Sequence, residues 1–278
     1  MRRKFFAKLK KSAILCLILS LVLSFSACNI IFNEDDGATS TPSAEEDLSN
    51  GVITEGIINA NFTVMMASYN VSILGNVIEE NTTQGSGVIF EKEQVLPNLY
   101  SYALLTNNHV IYKDVLNYHR FECSVRDCFG NIYRAEVSAY DPNYDLAVVV
   151  FNSEVQYKVL EFASKNPKAG DQVVSIGQPR GIITAVTEGK VEKYLTVTVP
   201  TEGDNVNVNI SNVNFEVVKH SAPINQGSSG GVLLDKNYKI CGINYAAAVV
   251  QDSTEFVSGY AIPVLKVKRF LNEKYYVE

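Results

Sequence analysis

The segment INQGSSGGVLLD, residues 224–235, sets a glycine-flanked serine directly before a short apolar run. The run has the length of a buried β-strand, so Ser229 is predicted to lie in a tight turn at the start of that strand. Taken alone, a Gly-Ser-Ser-Gly-Gly run is more often a flexible turn than a nucleophile. The segment therefore needs partners elsewhere in the chain before it indicates a function.

Two further segments supply the partners that a serine nucleophile requires. In LLTNNHVI, residues 104–111, His109 comes just after a stretch of β-forming residues. In DLAVVVF, residues 145–151, Asp145 comes just before an apolar strand. A serine hydroxyl needs a base within hydrogen-bond reach, and imidazole titrates near neutral pH. A buried carboxylate would hold the ring in the required tautomer and stabilise the imidazolium. Each residue alone has a plainer interpretation, but together they predict the triad His109, Asp145 and Ser229.

The glycines around the serine predict an oxyanion hole formed by Gly227, Ser228 and Ser229. Gly227 can adopt a backbone conformation that is closed to residues with a Cβ. Its N–H and that of Ser229 would then point together at a developing negative charge. No metal-ligand spacing appears in the sequence, so we expect neither a metal nor a cofactor.

The order of the three segments separates two folds that share a Gly-x-Ser-x-Gly string. In the α/β-hydrolases, whose nucleophile elbow this string also fits, the histidine follows the serine. Here His109, His119 and His220 all precede Ser229. The order His, Asp, Ser is that of the chymotrypsin fold. We expect His119 in a surface loop and His220 at the end of a strand.

Short apolar runs rich in Val, Ile, Tyr and Phe predict an all-β fold. Turn residues such as Gly130-Asn131 and Asp141-Pro142 separate the runs, which favours a sandwich or a pair of barrels. Helices are predicted only at 58–67 and at 264–274, the second beginning behind Pro263. The predicted strands cover residues 71–74, 87–90, 102–106, 132–140, 146–151, 172–176, 194–199, 206–218, 231–235 and 239–246.

Four motifs in register, TNNHVI, DLAVV, INQGSSGG and GYAIPV, resemble the trypsin-like serine proteases of the HtrA/Deg group. The resemblance covers about residues 57–272. It implies two six-stranded antiparallel β-barrels of the chymotrypsin-like type, at about 68–155 and about 165–262, with a short C-terminal helix. It also implies that His109 and Asp145 lie in the first barrel, the serine in the second, and the active site in the crevice between them.

The resemblance also indicates how a substrate binds and where this chain departs from the family. Substrate backbone would pair as an added strand with Asn244, Tyr245 and Ala246. Relatives usually have Ser or Thr at position 245, a small hydroxyl that supports the catalytic aspartate. Pro223 stands where trypsin has a pocket aspartate, so we expect a small or medium aliphatic residue at the cleaved position. Ser228 replaces the acid that pairs with a freed N-terminus in digestive trypsins, so we expect activity to be governed by loop ordering.

The beginning of the chain predicts export. Six Arg and Lys residues precede an apolar run, residues 12–25, that is the length of a signal peptide, whereas a spanning helix needs about 20 residues. Ser26-Ala27-Cys28 resembles a lipobox, so residues 1–27 are predicted to be a lipoprotein signal peptide and Cys28 a lipid-bearing N-terminus. An uncleaved anchor is the alternative. Two acyl chains hold a protein stably on a bilayer.

Residues 28–56 are acidic and rich in Ser and Thr, which predicts a solvated tether before a protease domain at 57–278. Without the signal, 24 basic residues less six leave 18, against 30 acidic residues, a net charge of −12. Nucleic acid is therefore not an expected partner. The remaining cysteines, Cys123, Cys128 and Cys241, are expected to be free thiols.

Two classes of function are open at this point. The first is a serine endopeptidase, exported to the cell surface on a bacterial lipid anchor, that cleaves unfolded or exported polypeptides through an acyl-enzyme. The second is a degenerate protease-fold module that only binds or holds partners, and an esterase is a weaker third. The intact triad favours the enzyme, because binding alone does not require the three polar residues together. We expect no PDZ domain after the last helix, and the resemblance allows a homotrimer.

Overall fold

The computed structural model describes most of the region predicted to be the protease domain. The described residues are 53–179, 184–197, 206–208 (backbone only), 213–250 and 254–277. The predicted signal peptide, Cys28 and most of the predicted tether lie outside them. Among the residues described, no helix combines the length and apolar character needed to cross a membrane.

The first barrel is built from six antiparallel strands. In chain order they are β1 (Asn61–Val71), β2 (Val77–Leu96), β3 (Leu99–Thr106), β4 (Arg120–Arg126), β5 (Ile132–Asp141) and β6 (Leu146–Ser153). They pair in the closed order β1-β2-β3-β6-β5-β4. Helix α1 (Glu55–Asn59) precedes β1, and a 3-10 turn (His109–Ile111) follows β3.

The second barrel repeats this arrangement with one strand added outside it. Its strands are β7 (Gln172–Gly177), β8 (Ala185–Leu195), β9 (Val206–Val208), β10 (Val217–His220), β11 (Val232–Leu234), β12 (Ile240–Val250) and β13 (Phe256–Pro263). Six of them form the ring β11-β7-β8-β10-β13-β12, which β12 closes by pairing with β11, and β9 pairs with β12 outside the ring. Helix α2 (Val264–Phe270) and a π-helical turn (Leu271–Tyr275) follow. The predicted fold is confirmed.

The interior of the first barrel is aromatic, whereas that of the second is mainly aliphatic. Phe151 of β6 stacks against Tyr102 at 5.4 Å between ring centroids and lies 5.1 Å from Phe62. Tyr157, in the linker after β6, packs edge-on against Phe62 at 4.9 Å. Such ring pairs bury large apolar areas in specific geometries. The second core contains Val173, Val191, Val218, Leu233, Cys241, Ala261 and Val264.

The helix predicted over 58–67 is wrong. The helical turn is α1, which ends at Asn59, and the residues from Asn61 onward form β1. Phe62, Val64 and Met66 are fully buried at alternate positions, and this period of two is that of a strand. The first barrel therefore begins at Asn61 and not near residue 68.

Further differences concern the strands. The predicted strand at 71–74 is the end of β1 and the turn that follows it, and the run 206–218 contains the separate strand β9 and the start of β10. β4 and β13 lie outside the predicted strands, and only the last two residues of β8 fall within one. Most side chains of β8 are exposed or half-buried, so its sequence lacks the apolar alternation that marks a strand.

The three described cysteines are free thiols, as predicted. Cys123 and Cys241 are buried, whereas Cys128 is exposed. Burial raises the pKa of Cys123 to about 12, so this thiol is a poor nucleophile at neutral pH.

Phe151→Ala is expected to lower the free energy of unfolding by about 3–5 kcal/mol, because it removes a ring from the centre of the first core. Phe129→Ala is the matched control. Phe129 is 62% exposed in the turn before β5, so its loss should change stability by less than about 0.5 kcal/mol. Equilibrium denaturation by urea measures both values, and equal losses would contradict the assignment of the core.

Candidate active site

His109 and Asp145 lie at the ends of two paired strands of the first barrel. His109 begins the turn after β3, and Asp145 directly precedes β6. The carboxylate Oδ2 is 2.8 Å from His109 Nδ1, and Oδ1 accepts the His109 backbone N–H at 3.0 Å. Since a carboxylate only accepts, Nδ1 carries the proton and Nε2 is left as the basic nitrogen. The His109 side chain is 41% exposed, so a substrate can reach it.

The backbone of Asp145 is held in an unusual conformation. Its φ is +49°, in the left-handed region that side chains with a Cβ seldom adopt. Its N–H donates to Pro142 O at 3.2 Å, and its own carbonyl accepts from Asn107 Nδ2 at 2.8 Å. The side chain is 1% exposed. A strained residue persists when its surroundings fix it, and here they aim the carboxylate at His109.

The loop around Ser229 contains two glycines with positive φ, Gly227 at +92° and Gly230 at +84°. The Ser228 N–H donates to Asn225 O at 2.9 Å, so it is not available to an oxyanion. Within the described part of the chain, the N–H groups of Gly227 and Ser229 have no protein acceptor. Of the three residues predicted to form the hole, two therefore offer a donor.

Ser86 of β2 joins this loop to the first barrel. Its N–H donates to Ser229 O at 2.6 Å, and its hydroxyl donates to Gly227 O at 2.7 Å. The same hydroxyl accepts the N–H of Gln178 at 2.7 Å, while the Ser86 carbonyl accepts from Thr106 Oγ1 at 2.7 Å. Ser86 is fully buried, so these bonds form away from water.

Two glycines allow this close approach between the barrels. A Cβ on Gly230 would overlap the Ser86 carbonyl oxygen and Thr106 Oγ1. A Cβ on Gly85 would come within 2.8 Å of Ser229 O and would also meet the Val110 side chain. Val110, the residue after His109, and the backbone of Ser229 therefore both lie against Gly85, at the junction of the two barrels.

The Ser229 hydroxyl donates to Tyr245 O at 3.4 Å. Among the described residues, no hydrogen bond joins this hydroxyl to His109. Catalytic hydrogen bonds are often long or misaligned before substrate binds, so this arrangement is compatible with a resting site. The structure brings His109 and Asp145 together and leaves Ser229 bonded to β12.

Asn244 and Tyr245, two of the three residues predicted to bind the substrate backbone, lie in different surroundings. The Asn244 N–H donates to Gly231 O and its carbonyl accepts from Gly230, both at 2.8 Å, so its backbone is already paired. Tyr245 sits at an irregularity of the ladder between β12 and β13 and is 2% exposed. Its hydroxyl has no hydrogen-bond partner among the described residues. Burial, with the charge of Asp145 adding to it, raises the pKa of Tyr245.

The other two histidines lie where they were expected. His119 is exposed in the loop before β4, and His220 is the last residue of β10. Burial lowers the pKa of His220 to about 4, while Asn244 and the backbone of Ala222 partly oppose this shift. Its ring packs against Gly259, where a Cβ would overlap it. His220 is therefore neutral at physiological pH, and its ring packs at the pairing of β10 with β13.

No group of three or more His, Cys, Asp or Glu residues that could hold a metal ion occurs in the described ranges. A cavity of about 660 Å³ lies on the second barrel, between Phe162–Gln172 and Asp235–Cys241, and none of the candidate site residues lines it.

Sequence reasoning missed Ser86 and Thr106. The signal that was available is the triplet Gly85-Ser86-Gly87 in an apolar strand, because glycines in a strand mark a close approach of another backbone. The partner of that approach, the Ser229 loop, lies more than 140 residues away in the chain. Local patterns carry no information on this pairing.

Comparisons with known proteins show which family this chain resembles. A family model described as a trypsin-like peptidase domain matches residues 85–243, more than half of the chain. Serine protease Do-like HtrA of Bacillus subtilis (strain 168) is 33% identical over 82% of this chain and 47% of that protein. Serine protease PepD of Mycobacterium tuberculosis is 31% identical over 73% and 44%. Periplasmic serine endoprotease DegP of Salmonella typhimurium is 30% identical over 68% and 35%. The chain thus spans less than half the length of these relatives.

Gly230→Ala is expected to destabilise the protein by about 2 kcal/mol more than Gly75→Ala, because only the first adds a Cβ to a filled space. The two glycines have φ of +84° and +82°, so the backbone strain of an alanine is the same at both. A Cβ at position 75 meets nothing within 4 Å, whereas one at 230 overlaps Ser86 and Thr106. Urea denaturation of both variants measures the difference, and equal stabilities would mean that the barrels do not dock as described.

Proposed function

The chain belongs to the trypsin-like peptidase domain family, in the HtrA group of trypsin-like serine proteases, and from that membership we propose that it is a serine endopeptidase acting through an acyl-enzyme. The observation that carries the proposal is the bond between His109 Nδ1 and Asp145 Oδ2 at 2.8 Å. It leaves the second ring nitrogen basic on an exposed imidazole. The glycine-flanked Ser229 comes from the other barrel.

In the proposed reaction, His109 Nε2 takes the proton of the Ser229 hydroxyl as the oxygen attacks the substrate carbonyl carbon. Asp145 stabilises the imidazolium that forms, without itself being protonated. The imidazolium then gives the proton to the leaving amine, and the peptide bond breaks to leave an ester on Ser229. A water molecule, deprotonated by the same ring, hydrolyses the ester and restores the hydroxyl.

The negative charge that develops on the carbonyl oxygen would be stabilised by the N–H groups of Gly227 and Ser229. One such donor contributes about 3–4 kcal/mol to stabilisation of the transition state. Both groups lack a protein acceptor within the described chain, which supports this role. The bonds from Ser86 to Gly227 O and Ser229 O hold the loop in place, so the donors need little reorganisation during the reaction.

Substrate backbone would be held by the edge of β12 at Tyr245 and Ala246, as an added antiparallel strand. The backbone of Asn244 is already paired, so its contribution is to fix the edge through its side chain, which donates to Ser175 Oγ at 2.7 Å. A peptide that pairs with this edge strand must be locally extended. This favours unfolded segments of exported proteins as substrates.

We further propose that the protein is exported and held at the membrane by a lipid on Cys28. The basic and apolar residues 1–27 and the small residues before Cys28 support this. A relative described as periplasmic also supports export.

A binding module that lacks hydrolysis is the second candidate. The bond from the Ser229 hydroxyl to Tyr245 O favours it, because a hydroxyl held there is not aligned with His109. An enzyme requires that this bond exchange for one to Nε2 when substrate binds.

Ser229→Ala and His109→Ala should each lower turnover by on the order of a million-fold, with little further loss when they are combined, because the residues act as a unit. Labelling by a fluorophosphonate probe and hydrolysis of an unfolded protein substrate are the measurements. His119→Ala, an exposed histidine outside the site, is the control and should react like the wild type. Absence of labelling in any folded preparation of the wild type would favour the binding module.

Cleavage is expected after small or medium aliphatic residues. Pro223, Ala246 and Ala247 carry no charge that could pair with a lysine or arginine side chain, and burial of an unpaired charge is unfavourable. Two peptides that differ only in Val or Lys at the cleaved position test this. The Val peptide should have a kcat/KM at least about tenfold higher. A profile dominated by cuts after Lys or Arg would overturn the expectation.

A further inference from the structure

The hairpin between β1 and β2 ends in aliphatic side chains that contact water. Ile73 and Leu74, in the turn, are 105% and 87% exposed, and Val77 and Ile78, at the start of β2, are 49% and 67% exposed. We refer to these four residues, at the end of the β1–β2 hairpin, as the ribbon tip. All residues of β2 from Val77 to Thr82 are exposed, so this end of the hairpin stands clear of the barrel core.

The turn is held by backbone hydrogen bonds, so its aliphatic side chains are not needed to form it. The turn is closed by Ser72 N–H to Asn76 O and by Gly75 N–H to Ser72 O, both at 2.8 Å. Gly75, with φ of +82°, and Asn76 are residue types that turns prefer. Ile73 and Leu74 occupy positions where polar residues are usual, and their exposure excludes a role in packing.

A second exposed apolar segment lies beside the same hairpin. Val115 and Leu116 are 67% and 90% exposed in the loop after the 3-10 turn. The end of this loop is bonded to the hairpin, because Tyr118 Oη donates to Glu79 Oε1 at 2.9 Å and the His119 N–H donates to Tyr69 O at 3.0 Å. Several exposed aliphatic side chains thus occur at one end of the first barrel, and exposed apolar surface of this kind is typical of interaction sites.

We propose that the ribbon tip inserts into the surface of a lipid bilayer and provides a second attachment point beside the N-terminal anchor. The proposal rests on the proposed lipid anchor, but not on hydrolysis. Four exposed aliphatic side chains at the end of a hairpin suit the apolar boundary of a bilayer, which does not require a complementary surface shape. Weak membrane insertion becomes effective when a second anchor keeps the protein near the surface.

The chain outside the described residues is long enough for this. The 24 residues 29–52 span at most about 80 Å when fully extended. β1, with 11 residues, is about 35 Å long, so the tip lies about that far from the end where the chain enters the barrel. A protein anchored at Cys28 can therefore turn the tip toward the bilayer.

The charges near the tip determine which lipids it accepts. Glu79 and Glu80 follow the tip directly in β2, and neither Lys nor Arg occurs between Val71 and Lys92. On the neighbouring strand β4, Arg120 stacks over the Tyr69 ring and lies 3.5 Å from the Glu122 carboxylate, so it is paired with an acid. Attraction to anionic headgroups needs basic residues, so the tip should insert into zwitterionic phosphatidylcholine. Insertion would also hold the site near the membrane, because Thr83 Oγ1 of the same hairpin donates at 2.8 Å to the carbonyl of Val110, next to His109.

The test uses the fact that the sequence contains no tryptophan. The full chain with Leu74→Trp is reconstituted into phosphatidylcholine vesicles with and without brominated acyl chains, which quench tryptophan on contact. Phe129→Trp is the matched control. Phe129 is also an exposed apolar residue in a turn, but it lies at the opposite end of the barrel, where the neighbouring Cys128 Sγ bonds Asn59 just before β1.

The expected result is a blue-shifted emission and at least twofold quenching for Leu74→Trp, and a small effect for Phe129→Trp. Ile78→Trp provides an independent probe of the same tip and should follow Leu74→Trp. Quenching that is equal or greater at position 129, or absent at 74 and 78, would overturn the proposal. So would a blue shift without lipid that grows with protein concentration, because the tip would then be covered by a second copy. None of these readings depends on catalysis.

Discussion

The contact on which the site depends is the docking of the Ser229 loop on Ser86. Through one buried residue, the first barrel donates hydrogen bonds to the carbonyls of Gly227 and Ser229 at 2.7 and 2.6 Å. With its carbonyls fixed, the loop can direct the N–H groups on either side of Ser228 outward. Only glycine fits at position 230, because any Cβ would overlap Ser86. The docking of the barrels and the geometry of the proposed oxyanion hole therefore have the same cause.

The two halves of the site differ in whether their catalytic hydrogen bonds are already formed. The first barrel holds His109 and Asp145 in contact by its own strand ends, with both carboxylate oxygens accepting from His109. The serine comes from the second barrel, and its hydroxyl bonds Tyr245 O at 3.4 Å. A substrate strand added at Tyr245 would compete for that carbonyl and release the hydroxyl. Binding and alignment of the nucleophile would then be coupled without movement of either barrel.

Much of this was predictable because its signals are local. The order His109, Asp145, Ser229 and the strand beside each residue are properties of short segments, and the alternation of apolar residues indicated the β-fold. β1 was missed because Phe62 and Met66, four residues apart, also fit a helical face. β8 was missed because few of its side chains are buried. The pairing of Ser86 with the Ser229 loop depends on residues far apart in the chain, which local patterns cannot connect.

The most direct test of the central claim is a crystal structure of the protein inhibited by a peptidyl phosphonate. The account predicts a bond from phosphorus to Ser229 Oγ and the His109 ring facing that oxygen. The phosphonyl oxygen should lie about 2.7–3.1 Å from the nitrogens of Gly227 and Ser229. Phosphorus on another residue, or an oxygen pointing away from both N–H groups, would contradict the account.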